Sequence, residues 1–180
     1  MYMMHMAYMY VCMCLYISSL TPLLHMYAFV GRSTMACFNT ARVTVTRCKL
    51  TNACVHGVCV RGDAQVSLSH CTIKGAGTRA AFVYQRGSLE LEDCEVLNTG
   101  NCHTPAIQAE SIASTDNAKL VMRKCIVRDN DGPSLVINGS VEHVLEDNDF
   151  DGNVEINPDV TDATVPRPWT ELETEMSAKS

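Results

Sequence analysis

From residue 41 onward, apolar and polar positions alternate in short runs that recur at a fixed distance. The unit reads apolar-x-apolar-x-x-Cys-x-apolar. It occurs as Val43-Thr-Val45-Thr-Arg-Cys48-Lys-Leu50, Val66-Ser-Leu68-Ser-His-Cys71-Thr-Ile73, Leu89-Glu-Leu91-Glu-Asp-Cys94-Glu-Val96 and Leu120-Val-Met122-Arg-Lys-Cys125-Ile-Val127. A fifth copy, His143-Val-Leu145-Glu-Asp-Asn148-Asp-Phe150, puts His in an apolar slot and Asn where Cys stood. The steps between equivalent positions are 23, 23, 31 and 23 residues, the long one carrying an insertion over 98–117 rich in Thr, Asn, Ser and Ala. A second apolar pair follows in most units, as Val58 and Val60, Ala81 and Val83, Leu135 and Ile137. Period-two alternation broken by Gly, Asn and Asp predicts short, half-buried strands.

No amphipathic stretch within 41–156 is long enough for a crossover helix, which argues against a doubly wound or βαβ sheet. Short strands repeating without helices are solved most economically by an all-β, right-handed parallel β-helix of about five coils. Each repeat is then one coil, and each strand bonds to its equivalent about 4.8 Å away. Equivalent residues stack in columns, which explains a fixed Cys position; an antiparallel sandwich would need neither equal steps nor that column.

The repeat resembles that of the pectate-lyase-like superfamily over about 41–156. Its Cys-x-apolar followed by an Asn turn, as in Cys48-Lys-Leu-Thr-Asn52 and Cys94-Glu-Val-Leu-Asn98, is similar to the arrays of F-box β-helix proteins. The resemblance implies the coil architecture; the fold itself hosts both polysaccharide enzymes and non-catalytic recognition modules. No F-box-like helical segment accompanies it, so ubiquitin-ligase assembly is not implied.

Four of the ten cysteines, Cys48, Cys71, Cys94 and Cys125, form a structural ladder that Asn148 continues. Stacked neighbours have parallel Cβ vectors about 4.8 Å apart, whereas a disulfide wants about 3.8 Å. Reduced thiols packing as small hydrophobes are therefore expected, with the Asn148 amide bonding along the stack or to the turn backbone. A linear column supplies no tetrahedron and no Cys-x-x-Cys is present, so no metal or other cofactor is expected. Unpaired thiols point to a reducing compartment and an intracellular, cytoplasmic protein. The sequon Asn138-Gly-Ser140 then reads as a turn rather than a glycan site.

The residue before each ladder position, Arg47, His70, Asp93, Lys124 and Asp147, is expected to form an outward column, with Glu92, Arg123 and Glu146 in another. The alternating signs of Asp93, Lys124 and Asp147 read as charge compensation between strands. As binding residues the five are the candidates the sequence offers. As a catalytic group they are poor: Asp93 and Asp147 would stand roughly 9–10 Å apart, with the cationic Lys124 between them, an arrangement that suits neither acid role. Gly-His-Gly, Arg-x-Lys and adjacent Asp-Asp signatures are missing, and His56 in Val55-His56-Gly57 reads as a turn residue. Asp147-Asn-Asp149-Phe-Asp151-Gly152 starts like a calcium loop, but Pro158 falls where the bidentate acid belongs.

Composition adds three points. With 14 basic against 20 acidic residues the net charge is −6, so a nucleic-acid surface is not expected. Residues 1–31 contain no Asp, Glu, Lys or Arg but hold five of the six Tyr and seven of the ten Met. The twelve residues from Met6 to Ile17 are shorter than the ~18 a membrane span needs. Translated noncoding sequence, a secretory or membrane segment, and a genuine cap are the three readings of this 1–40 leader; a real leader would make the protein secreted or membrane-anchored. In the polar 157–180 tail, Trp169 either caps the last coil or anchors a partner. Together these features favour a non-catalytic recognition or scaffold module presenting flat sheets and the 98–117 insertion to a protein partner. The alternative is a carbohydrate-binding or polysaccharide-cleaving protein using Asp93, Lys124 and Asp147. A purely structural product, or a fragment of a longer β-helix, is the third reading.

Overall fold

The computed structural model of the chain describes residues 33–99, 103–113 and 115–160. Residues 1–32, the 161–180 stretch with Trp169, and Cys12 and Cys14 lie outside these. Among the described residues sixteen strands pair in parallel and form three sheets running the length of a solenoid. Sheet A holds Ser33–Cys37, His56–Val60, Arg79–Tyr84, Ile107–Ser111, Leu135–Gly139 and Val154–Asn157. Sheet B holds Arg42–Thr46, Gln65–Ser69, Ser88–Glu92, Lys119–Arg123 and Glu142–Glu146. Sheet C holds the short strands Lys49–Thr51, Thr72–Lys74, Glu95–Leu97, Ile126–Arg128 and Asp149–Phe150. The chain runs A, B, C and returns to A one coil further on. This is the parallel β-helix expected from the repeat.

The core is a tube filled by columns in strict register. Val45, Leu68, Leu91 and Met122 stack from sheet B, Leu50, Ile73, Val96 and Val127 from sheet C, and Val58, Ala81, Ile107 and Leu135 from sheet A. All of them are buried. Register is fixed because a one-residue slip would turn a whole apolar column outward.

Two expectations are corrected. The 98–117 segment is not one insertion: it contains the sheet A strand Ile107–Ser111, paired to the strands on both sides. The extra residues are divided between the loops before and after that strand, where Ile107 and Ala109 take the inward slots that Ala81 and Val83 hold one coil earlier. The solenoid also starts before residue 41, since Ser33–Cys37 already pairs with His56–Val60. In the last coil His143 stands opposite Leu120 in register but is exposed, its Nδ1 within 3.1 Å of the Val141 carbonyl.

Most corners of the coil are turned by a residue in the left-handed region. Asn39, Gly62, Gln85 and Gly139 turn A into B; Arg47, His70, Asp93, Lys124 and Asp147 turn B into C; Asn52, Gly75, Asn98 and Asp129 lead out of C. A single left-handed residue bends the chain sharply enough to start a new sheet at once, at a cost of about 1–2 kcal/mol for each non-glycine. Hydrogen bonding continues through the B-to-C corner, with Arg47, His70, Asp93 and Lys124 each donating its N–H to the next coil.

Candidate functional site

The five residues expected to present an outward chemical column are those B-to-C corner residues, with φ between 49° and 55°. They do not lie on a sheet face, and their conformation is what the position demands. Within the column, the one ion-pair contact among the described residues is a long one, His70 Nδ1 to Asp93 Oδ2 at 3.9 Å. Asp93, Lys124 and Asp147 follow the corner in single file and do not converge. Charge compensation is found instead on sheet B, where Arg123 bridges Glu146 at 2.9 Å and Glu90 at 3.0 Å, and Lys119 pairs with Glu142. Asp151 of the calcium-like stretch accepts the Asp129 N–H at 2.6 Å. Among the described residues, no group of three or more His, Cys, Asp or Glu is arranged to hold a metal ion.

The ladder of Cys48, Cys71, Cys94 and Cys125 lies inside, buried and unpaired by disulfides. It hydrogen-bonds as well as packs. Cys71 Sγ accepts the Cys48 N–H at 3.5 Å and reaches the Val45 carbonyl at 3.6 Å. Cys94 and Cys125 contact the carbonyls of Leu68 and Leu91 at 3.4 and 3.5 Å. Asn148 makes the same two contacts in the last coil: Oδ1 accepts the Cys125 N–H at 2.9 Å, and Nδ2 donates to the Met122 carbonyl at 3.0 Å. Bonds to Cys125 and Cys71, together with burial, push the Cys94 thiol up. The bonds to Cys94 pull the Cys71 and Cys125 thiols the other way, down from the ordinary thiol value; buried in the column, all four thiols serve the coil.

Chemistry gathers on the outer face of sheet A. The strand Arg79–Tyr84 turns Ala81 and Val83 inward, and so Phe82 and Tyr84 outward. Their rings stack with centroids 4.6 Å apart, and Arg79 lies over the Phe82 ring at 5.0 Å. One coil earlier Arg61 covers Phe38 at 4.4 Å and donates to the Tyr84 hydroxyl at 3.4 Å. Four Phe or Tyr fall among the described residues, and three of them are in this group; only Phe150, partly buried against the core, is elsewhere.

A polar row crosses the same face. Arg79 Nε donates to Gln108 Oε1, and Gln108 Nε2 donates to Glu110 Oε1. The Asn138 amide bonds Glu110 from the other side, and Asn157 Nδ2 donates to Asn138 Oδ1 at 3.1 Å. Asn138 of the sequon is therefore a strand residue in this row rather than part of a turn. Burial pushes the Glu110 carboxyl above the ordinary carboxylate range, against the pull of Arg79, Gln108 and Asn138. Sequence reading missed this group because Gln108 and Glu110 sat in a presumed insertion. The available signal was Phe82 and Tyr84, two large rings alternating with the inward Ala81 and Val83.

His56 opens the strand His56–Val60 rather than forming a turn. Thr78 Oγ1 donates to the Val55 carbonyl at 2.8 Å, so the His56 Nδ1–H donates to that hydroxyl at 3.0 Å. Its ring meets Phe82 with centroids 5.5 Å apart. Burial, helped by Arg79, pushes its pKa down to about 4 from the ordinary 6.5. Between those values the unfolded chain binds a proton that the folded one refuses. The neutral ring therefore contributes stability above pH 6.5, lost as pH falls toward 4, of about 3 kcal/mol. Urea titrations across this window should show His56→Gln losing part of the acid-side slope. An unchanged slope would count against a buried neutral ring.

A family described as a right handed beta helix region matches residues 28–162. The chain belongs to that family. No curated protein and no solved structure matches the chain.

Proposed function

We propose that this chain is a non-catalytic recognition module that seats a protein partner on the outer face of sheet A. The observation that carries this reading is the interlocked group of Phe82, Tyr84, Arg61 and Arg79. Tyr and Arg are the side chains that dominate interface energetics, and here their rotamers are already held, so little ordering entropy remains to be lost on association. A sugar would need an open ring face, but Phe82 is engaged by both Tyr84 and Arg79. Both neighbours of Glu110 in the polar row donate hydrogen bonds to it, which suits a positioned acceptor rather than a general acid.

A photo-crosslinking side chain in place of Tyr84, with one replacing Ser67 on sheet B as control, tests the reading. Discrete protein adducts should form at the first position, vanish with Phe82→Ala, and be absent at the second. Equal labelling from both sheets, or turnover of pectate or alginate with or without calcium, would overturn it.

A further inference from the structure

We infer that Arg79 is a carboxylate receptor, a preset guanidinium that clamps an acidic side chain of the protein partner. The inference rests on the reading of sheet A as a protein-binding face. Three contacts fix the guanidinium. Its Nε is taken by Gln108 Oε1, its carbon lies over the Phe82 ring, and its chain is half-buried at the start of the strand Arg79–Tyr84. Phe82 is in turn held by Tyr84 and by His56.

The protein's own carboxylate is kept away. Glu110 is the acid nearest in the polar row, yet Gln108 stands between the two charges and bonds to both. Arg79 accordingly forms no ion pair among the described residues, unlike Arg86 with Asp63 or Arg123 with Glu90 and Glu146. With Nε used internally, the two terminal nitrogens remain as a fork whose geometry matches a carboxylate bidentately. No buried side-chain nitrogen or oxygen among the described residues lacks a partner, and no hydrogen bond is formed by these terminal nitrogens there, so they are not sealed from solvent. A guanidinium with its orientation fixed and its internal acid held off is preorganised for an anion from outside. An acidic peptide fits better than a polyuronate because the ring beneath Arg79 offers no free face for a sugar.

The test uses the full chain, an alternating Glu–Ser decapeptide, its Gln–Ser counterpart, and an oligogalacturonate of similar length. The Glu peptide should shift the Arg79 Nε–H resonance, and the Gln peptide should not. Arg79→Gln should weaken Glu-peptide binding by about tenfold or more, and Arg79→Lys by less, because it keeps the charge but loses the fork. Arg123→Gln on sheet B should change nothing. Equal binding by Arg79→Gln and the parent, binding that follows Arg123, or tighter binding of the oligogalacturonate would each overturn the inference. Adducts at position 84 that persist undiminished in Arg79→Gln would sink the clamp and leave the protein-binding face standing. A parent chain that gives no adducts would remove both.

Discussion

Cys71→Ala should unfold at a urea concentration about 1 M lower than the parent under reducing conditions, whereas Cys71→Asn should stay within about 0.3 M of it. Truncation to Ala removes the acceptor of the Cys48 N–H. A buried donor left without a partner costs about 1–3 kcal/mol, and the missing sulfur adds a small cavity in a fully packed column. Asn answers both losses because Asn148 already does so at the equivalent place. Its Oδ1 takes the N–H one coil back and its Nδ2 takes the carbonyl three residues before that, at 2.9 and 3.0 Å against 3.5 and 3.6 Å for the thiol. The reciprocal change, Asn148→Ala, should cost a comparable amount by stranding the Cys125 N–H and the Met122 carbonyl. If Cys71→Ala matched the parent and Cys71→Asn were the weaker of the two, the column would be packing alone and its hydrogen-bonding role would fall.

That column was legible because a solenoid writes its register into the sequence. Inward positions such as Val45, Leu68, Leu91 and Met122 must stay apolar coil after coil, so a fixed step is forced on the chain. The site was harder to read for a related reason. Outward positions face water and carry no such constraint, so only the fold shows which of them meet. Phe82 and Gln108 are 26 residues apart in a chain whose usual step is 23, and loops of unequal length hide that they are partners in register. Asp93, Lys124 and Asp147 attracted notice because they precede the ladder, but their adjacency to it is what makes them corners. A charged residue at a left-handed position meets a backbone requirement first, and its charge is carried outward along an exposed edge. The chemistry collected instead on the sheet whose strands are flanked by the longest loops.

Of Gly139, Gly77 and Gly62, Gly139→Ala should be the most damaging single-methyl change, costing about 3–5 kcal/mol, followed by Gly77→Ala at about 2–3 and Gly62→Ala at about 1–2. The order separates two effects. Gly62 and Gly139 occupy the same corner column and share a left-handed conformation, with φ of 68° and 77°. Asn39 and Gln85 fill that column in other coils at φ of 57° and 61°, so a side chain is affordable there on backbone grounds. Space is what differs. A Cβ on Gly62 would stand 3.0 Å from the Asn39 nitrogen, whereas one on Gly139 would fall 2.1 Å from the Ser111 carbonyl oxygen, which belongs to the neighbouring strand and cannot swing aside. Gly77 isolates the second effect, since its backbone is not left-handed but its Cβ would lie 2.1 Å from the Cys54 carbonyl oxygen. Denaturant unfolding of the three variants gives the ranking, and hydrogen exchange of the Leu135–Gly139 and Val154–Asn157 strands shows whether Gly139→Ala loosens only the last coil. Equal costs at Gly62 and Gly139 would mean that conformation alone governs the corner; a harmless Gly77→Ala would show that adjacent coils yield to a methyl group, and the tight stacking of loops between sheets C and A would have to be abandoned.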